Sequence, residues 1–115
     1  MPTLFERIVA GDLPADIVYR DSEITAFRDI HPRAPVHILI VPNKPIPTVN
    51  DIADADAGLI GRMVLVARDL AKQAGIAADG FRLLFNCNAH GGQEVYHLHL
   101  HLIGGAPLGP MTGAR

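Results

Sequence analysis

The chain has 115 residues, 49% of them hydrophobic and 19% charged, which is the length of one domain with enough apolar material for a core. A net charge of −2 and a pI near 6.3 leave no dominant basic face, so nucleic acid and anionic membranes are disfavoured as partners. The single cysteine, Cys87, excludes an intramolecular disulfide and fits a cytoplasmic location. No basic-then-apolar leader and no run near the ~18 apolar residues of a membrane span occur.

Thr3-Leu4-Phe5-Glu6 has the pattern of a capping box. A short helix follows, with Leu4, Phe5 and Ile8 on one face and Gly11 to end it. Ile17 to Arg20 and Ile24 to Arg28 read as strands of an antiparallel hairpin around the polar turn Asp21-Ser22-Glu23. Val36 to Val41 is a β-branched apolar run stopped by Pro42, hence a buried strand. Asp54 to Ala74 predicts the one long helix, because Leu59, Ile60, Met63, Val64, Ala67, Leu70, Ala71 and Ala74 recur at spacings of three and four. The Asp51, Asp54, Asp56 cluster lacks the Gly and distal Glu of a calcium loop and reads as capping and a solvated face. Phe81 to Phe85 and Val95 to Ile103 complete the strands. The sum is an α+β fold, a mainly antiparallel five-stranded sheet with one long and one short helix.

The chemistry concentrates in Tyr96-His97-Leu98-His99-Leu100-His101-Leu102-Ile103-Gly104-Gly105. In a strand the leucines face one side, a good core face, and His97, His99 and His101 face the other. Two chemistries suit such a row. A metal site is one, but His97 and His101 would sit roughly 13 Å apart at about 3.3 Å per residue, and no adjacent Cys or carboxylate completes a zinc framework. Nucleophilic catalysis is the other. Neutral imidazole attacks through one nitrogen while a partner holds the other, and flanking imidazoles donate to phosphoryl oxygens. Upstream, His90-Gly91-Gly92-Gln93-Glu94 reads as a Gly-rich turn whose backbone N–H groups approach an anion closely.

The run Gly91-Gly92-Gln93-Glu94-Val95-Tyr96-His97-Leu98-His99-Leu100-His101-Leu102-Ile103-Gly104-Gly105 resembles the signature of the histidine triad proteins, and most closely the bacterial form of their nucleotide-binding branch. Ala26-Phe27-Arg28-Asp29-Ile30, Pro32 to Pro42 and Pro107-Leu108-Gly109-Pro110-Met111 extend the resemblance over nearly the whole chain. The resemblance implies a single domain over 1–115, with 106–115 a C-terminal tail, in a homodimer whose sheets join. It implies metal-free, cofactor-free hydrolysis of purine nucleoside phosphoramidates such as amine-linked adenosine monophosphate. His99 would take the nucleotidyl group, His101 and His97 would flank the phosphate, and His37 would orient an active-site histidine. Asp29 would hold the ribose hydroxyls, with Asn86, Gln93 and Glu94 near the phosphate. Phe5, Ile8, Leu13, Phe27, Ile30 and Leu39 would line the pocket for an adenine or guanine base. Glu94 stands where animal members carry a serine that assists the leaving group.

Other readings of the same residues are a non-catalytic nucleotide-binding regulatory protein and a metal-dependent hydrolase using the His row. His31 and His90 read as solvent-facing loop residues, and Cys87 as a small packed residue.

Overall fold

The structure, a computed structural model, describes residues 2–112. In chain order the elements are α1 (Leu4–Ala10), β1 (Ile17–Arg20), β2 (Ile24–Arg28), β3 (Val36–Pro42), α2 (Ala57–Gln73), β4 (Phe81–Leu84), α3 (Asn88–Gly91) and β5 (Leu100–Gly104), with two short 3-10 turns before α2. The strands form one sheet in the order β1-β2-β3-β5-β4, and every neighbouring pair is antiparallel. The α+β class and the five antiparallel strands agree with the sequence reading.

Period-two alternation divides the sheet into two faces. Ile24, Ala26, Ile38, Ile40, Leu100 and Leu102 pack on α2 through Met63, Ala67, Leu70 and Ala71. Phe27, Leu39 and Val41 turn the other way and pack beneath Phe5 and Ile8 of α1. Each fully buried aliphatic side chain in these layers contributes about 1.5–3 kcal/mol. Leu4 does not join them and is half exposed.

The helix ends follow the sequence. Thr3 Oγ1 accepts from the Glu6 N–H, and the Glu6 carboxylate accepts from the Thr3 N–H, each at 3.1 Å. Gly11, at φ 83°, closes α1 in the left-handed region. At the start of α2 the helix is tightened into a 3-10 turn, Asp54–Asp56. There the Asp56 carboxylate accepts from the Ala53 N–H at 3.1 Å and from Lys44 Nζ at 2.8 Å. Arg62 then ties α2 to the β1–β2 turn through 2.7 Å contacts to Asp21 and Glu23.

Two expectations change. The strand foreseen over Val95 to Ile103 begins only at Leu100, because the β3–β5 ladder ends at the pair Ile40 and Leu100. Before it the chain leaves the sheet, and the Leu98 N–H donates to the Ile46 carbonyl at 2.7 Å. The Gly-rich turn is a helical one, with Asn88 at φ 58° and Gly92 closing α3 at φ 79°. Beyond Gly105, residues 106–112 carry no regular element, and Arg82 Nη2 holds the Gly109 carbonyl at 2.8 Å. Residues 113–115 of the expected tail lie outside the described residues.

Gly105 ends β5 at φ 93°, and a Cβ there would meet Pro35 Cβ at 3.0 Å. Gly105→Ala is expected to lose about 1–3 kcal/mol of stability from backbone strain. Urea unfolding of both proteins measures it, and an unchanged midpoint would show that neither the strain nor the contact matters.

Candidate active site

The α1 face of the sheet does not close over its whole area. Between α1, β2, β3 and β5 lies a cavity of about 710 Å³. Phe5, Ile8, Leu13, Phe27 and Leu39 form its apolar part. Asp29, His37, Asn86, Glu94, His99 and His101 form its polar part, and Ile30 stands exposed at the rim. The register explains the layout. Phe27 sits beside Leu39, Leu39 beside His101, and His101 beside Leu84 in one row across β2, β3, β5 and β4. An apolar slot therefore adjoins a row of imidazoles on one rigid surface.

Hydrogen bonds set the proton on each ring. His99 Nδ1 lies 2.7 Å from the His97 carbonyl. A carbonyl only accepts, so Nδ1 carries the proton and the neutral ring keeps its lone pair on Nε2. Phe5 packs edge-on against this ring at 4.9 Å between centroids and fixes its plane. The Arg33 N–H donates to His37 Nδ1 at 3.0 Å, so His37 bears its proton on Nε2. That proton points at His101 Nδ1, 2.9 Å away. His101 must then be protonated on Nε2, a buried atom without a partner among the described residues, on a residue that lines the cavity. The string ends in a hydrogen-bond donor on the ring next to His99, 5.0 Å away between centroids.

Burial keeps the rings neutral. It lowers His37, His97 and His99 below the ordinary histidine value of 6.5. Asp29 partly offsets this at His37, and the His97 carbonyl does so at His99. His101 is pushed down to about 4, by burial first and then by the His99 and His37 rings.

Two expected site residues lie elsewhere. His97 does not flank the cavity: its ring is buried, with Nε2 donating to the Pro42 carbonyl at 2.7 Å. The alternation persists, with Leu98 in the same layer as Leu100 and Leu102 and the His97 ring 6.4 Å from Phe5 between centroids, but His97 lies past the end of the β5 ladder, where the Pro42 carbonyl accepts from its Nε2. Gln93 is a buried clasp instead of a ligand contact. Its side chain accepts from the Asn88 N–H at 2.9 Å and donates to the carbonyls of Pro47 at 2.8 Å and Val95 at 3.1 Å. Gly91 and Gly92 likewise do not line the cavity. Arg33 and Leu84 do line it and were not foreseen, and His31 stands at its exposed rim. The short Pro-flanked loop around Arg33 was a signal only for a turn.

No group of three or more His, Cys, Asp or Glu among the described residues is arranged to hold a metal ion. A second cavity, of about 610 Å³, opens between the β1–β2 turn and the start of α2. Its Lys44 and Arg62 are paired with Asp56, Asp21 and Glu23, and it contains no histidine.

The sheet presents a neutral histidine and a histidine N–H donor beside an apolar slot, and known proteins resemble the chain in sequence and fold. The profile of the HIT domain matches residues 10–108, and the chain belongs to that family. It is 59% identical over 113 residues to the purine nucleoside phosphoramidase of Escherichia coli (strain K12), covering 98% of this chain and 95% of that one. An uncharacterized HIT-like protein of Buchnera aphidicola subsp. Baizongia pistaciae is 48% identical, over 91% of this chain and 94% of its own. The HIT family hydrolase of Legionella pneumophila Philadelphia 1 superposes with a TM-score of 0.95 at 47% identity, covering 97% of this chain and all of that one, 100%. A histidine triad protein from Clostridium difficile gives 0.90 at 39% identity, over 93% of each chain.

The neutral rings make stability depend on pH. Below the ordinary value of 6.5 the unfolded chain takes up protons that the folded rings of His37, His97, His99 and His101 refuse. Stability is therefore whole above about pH 6.5 and falls as pH drops below it, by up to about 1.4 kcal/mol per pH unit for each ring still neutral, with His101 contributing down to about 4. Urea midpoints at about pH 7 and about pH 5 measure this. Equal midpoints would mean the rings are charged or mobile in the folded protein.

Proposed function

We propose that the chain hydrolyses the phosphorus–nitrogen bond of purine nucleoside phosphoramidates, such as adenosine monophosphate linked to an amine. The observation that carries this reading is His99, neutral, rigid and with Nε2 free in the cavity. The close similarity to the Escherichia coli purine nucleoside phosphoramidase supports the same reaction here. The base lies in the slot of Phe5, Ile8, Leu13, Phe27 and Leu39, and the ribose hydroxyls donate to Asp29. Apolar side walls with a few fixed polar groups suit a flat base joined to a polar sugar.

The reaction runs in two displacements. His99 Nε2 attacks the α-phosphorus in line, the P–N bond breaks, and the departing amine takes up a proton. Water then attacks the same phosphorus, the bond to Nε2 breaks, and the nucleoside monophosphate leaves with His99 restored. Splitting one hard step into two easier ones is the gain of a covalent intermediate. His101 Nε2–H donates to a phosphoryl oxygen as negative charge gathers there. His37 holds His101 in that tautomer, and Asn86 and Glu94 line the polar end. His97 acts through its carbonyl, and Gln93 through the turn that leads to it. The chain's own residues supply these groups, and the reading needs no metal or cofactor.

A homodimer belongs to the same proposal. β4 is an edge of the sheet, its side chains are half-buried, and α2 leaves Val64 and Leu65 exposed. Two copies joined through β4 would continue the sheet and cover that edge. Sedimentation equilibrium is expected to give twice the chain mass of 12.3 kDa, and a single-chain mass at working concentration rules the dimer out.

Turnover of adenosine 5′-phosphoramidate in EDTA tests the reaction. The wild type is expected to release adenosine monophosphate in EDTA, and His99→Ala to fall at least about 10³-fold. Loss of activity in EDTA would make the histidines metal ligands. Binding of adenosine monophosphate without turnover would make the protein a nucleotide sensor.

A further inference from the structure

Asp29 stands between the sugar end of the cavity and the histidine string. Its N–H donates to the His37 carbonyl at 3.0 Å, which fixes it beside β3. Its Oδ1 accepts from the His31 N–H at 2.8 Å. Its Oδ2 lies 3.5 Å from His37 Nε2, the atom that also faces His101 Nδ1 at 2.9 Å. One proton thus has two competing acceptors. The imidazole is nearer, and the carboxylate carries the full charge. The Asp29 side chain is 22% exposed, so it has room for further donors.

We propose that Asp29 couples sugar recognition to turnover: ribose hydroxyls donating to its carboxylate release the His37 Nε2 proton to His101, which fixes His101 as the donor to phosphate. The inference rests on the phosphoramidase reading with ribose at Asp29. Hydroxyl donors spread the carboxylate charge and weaken its pull on His37. The proton of His37 then goes to His101 Nδ1, and His101 keeps its own on Nε2, facing the cavity. With no ribose, Asp29 competes for the His37 proton, and the hydrogen bond from His37 Nε2 to His101 Nδ1 is weaker. His101 is then held less firmly as the donor to the phosphoryl oxygens. No covalent bond changes; only the strength of the hydrogen bond that holds His101 moves. The charged and titratable groups facing this pair are Asp29 at the end of β2, Arg33 in the loop before β3, and His99 ahead of β5. Sugar contacts would therefore act in the transition state and not only in binding.

Steady-state kinetics on adenosine 5′-phosphoramidate and its 2′,3′-dideoxy analogue, for the wild type and His37→Gln, test the coupling. The wild type is expected to lose about tenfold or more in kcat on the dideoxy substrate. In His37→Gln that loss is expected to shrink below about twofold, because no imidazole passes the proton on. A dideoxy substrate that raises KM and leaves kcat unchanged overturns the coupling and leaves the phosphoramidase reading standing. An equal loss in both proteins overturns it as well. Absence of turnover with either substrate in the wild type defeats the phosphoramidase reading instead. The coupling is then decided by ¹⁵N-histidine NMR of the wild type, which also serves if His37→Gln does not fold. Adenosine monophosphate is expected to move the His37 Nε2 and His101 Nδ1 signals, and its dideoxy analogue is not. The same response to both ligands overturns the coupling.

Discussion

The hydrogen bond from His99 Nδ1 to the His97 carbonyl, 2.7 Å long, decides which nitrogen of the His99 ring is free. The other contacts of this region hold that carbonyl still. The His97 ring is anchored on the Pro42 carbonyl, the Leu98 N–H on the Ile46 carbonyl, and the Gln93 side chain on Pro47 and Val95. A segment outside the sheet is thereby as fixed as a strand. This matters for chemistry, because a nucleophile displaced by even 1 Å loses much of the advantage of orientation.

The second constraint is electrostatic. The His99 and His101 ring centroids are 5.0 Å apart, and those of His37 and His101 are 5.2 Å apart. Two imidazolium charges at such a distance repel by about 3 kcal/mol at an effective dielectric constant of about 20. Burial adds to that cost, so the row stays neutral near pH 7. Neutrality suits the attack proposed for His99, since a protonated ring has no lone pair to offer. It leaves a free lone pair on His99 and a free donor on His101, on neighbouring rings.

The sheet supplies the remaining geometry. Alternation sends the leucines of β5 into the α2 core and His101 to the opposite face. Register then brings Leu39 and Phe27 alongside, and α1 closes the slot with Phe5 and Ile8. One strand thus serves stability on one side and chemistry on the other. Phe5 belongs to both, packing on Phe27 at 5.3 Å and on His99 at 4.9 Å.

Much of this was legible in the sequence, because it depends on local patterns. The capping box at Thr3, the hairpin around Asp21, the apolar run of β3 and the helical repeat of α2 are each read within a few residues. The alternating leucines and histidines gave the functional face of β5, and the resemblance drew Asp29, His37 and Asn86 to the same site. What the sequence could not decide is where the cavity ends. His97 obeys the same spacing as His99 and His101 and its ring lies 6.4 Å from Phe5 between centroids, yet it is covered, because β3 ends its pairing at Ile40 and leaves the Pro42 carbonyl for its Nε2. Gln93 reads as a phosphate contact beside two glycines, yet it clasps Pro47 from a distant loop. The tautomers were equally out of reach, since each is set by an atom far away in the chain or by a backbone group: the Arg33 N–H, the His97 carbonyl, the His37 ring. The sequence by itself determined which residue types stand on which strand. Only the tertiary structure decided which nitrogen of each histidine carries its proton, because a hydrogen bond depends on position in space and not on spacing along the chain.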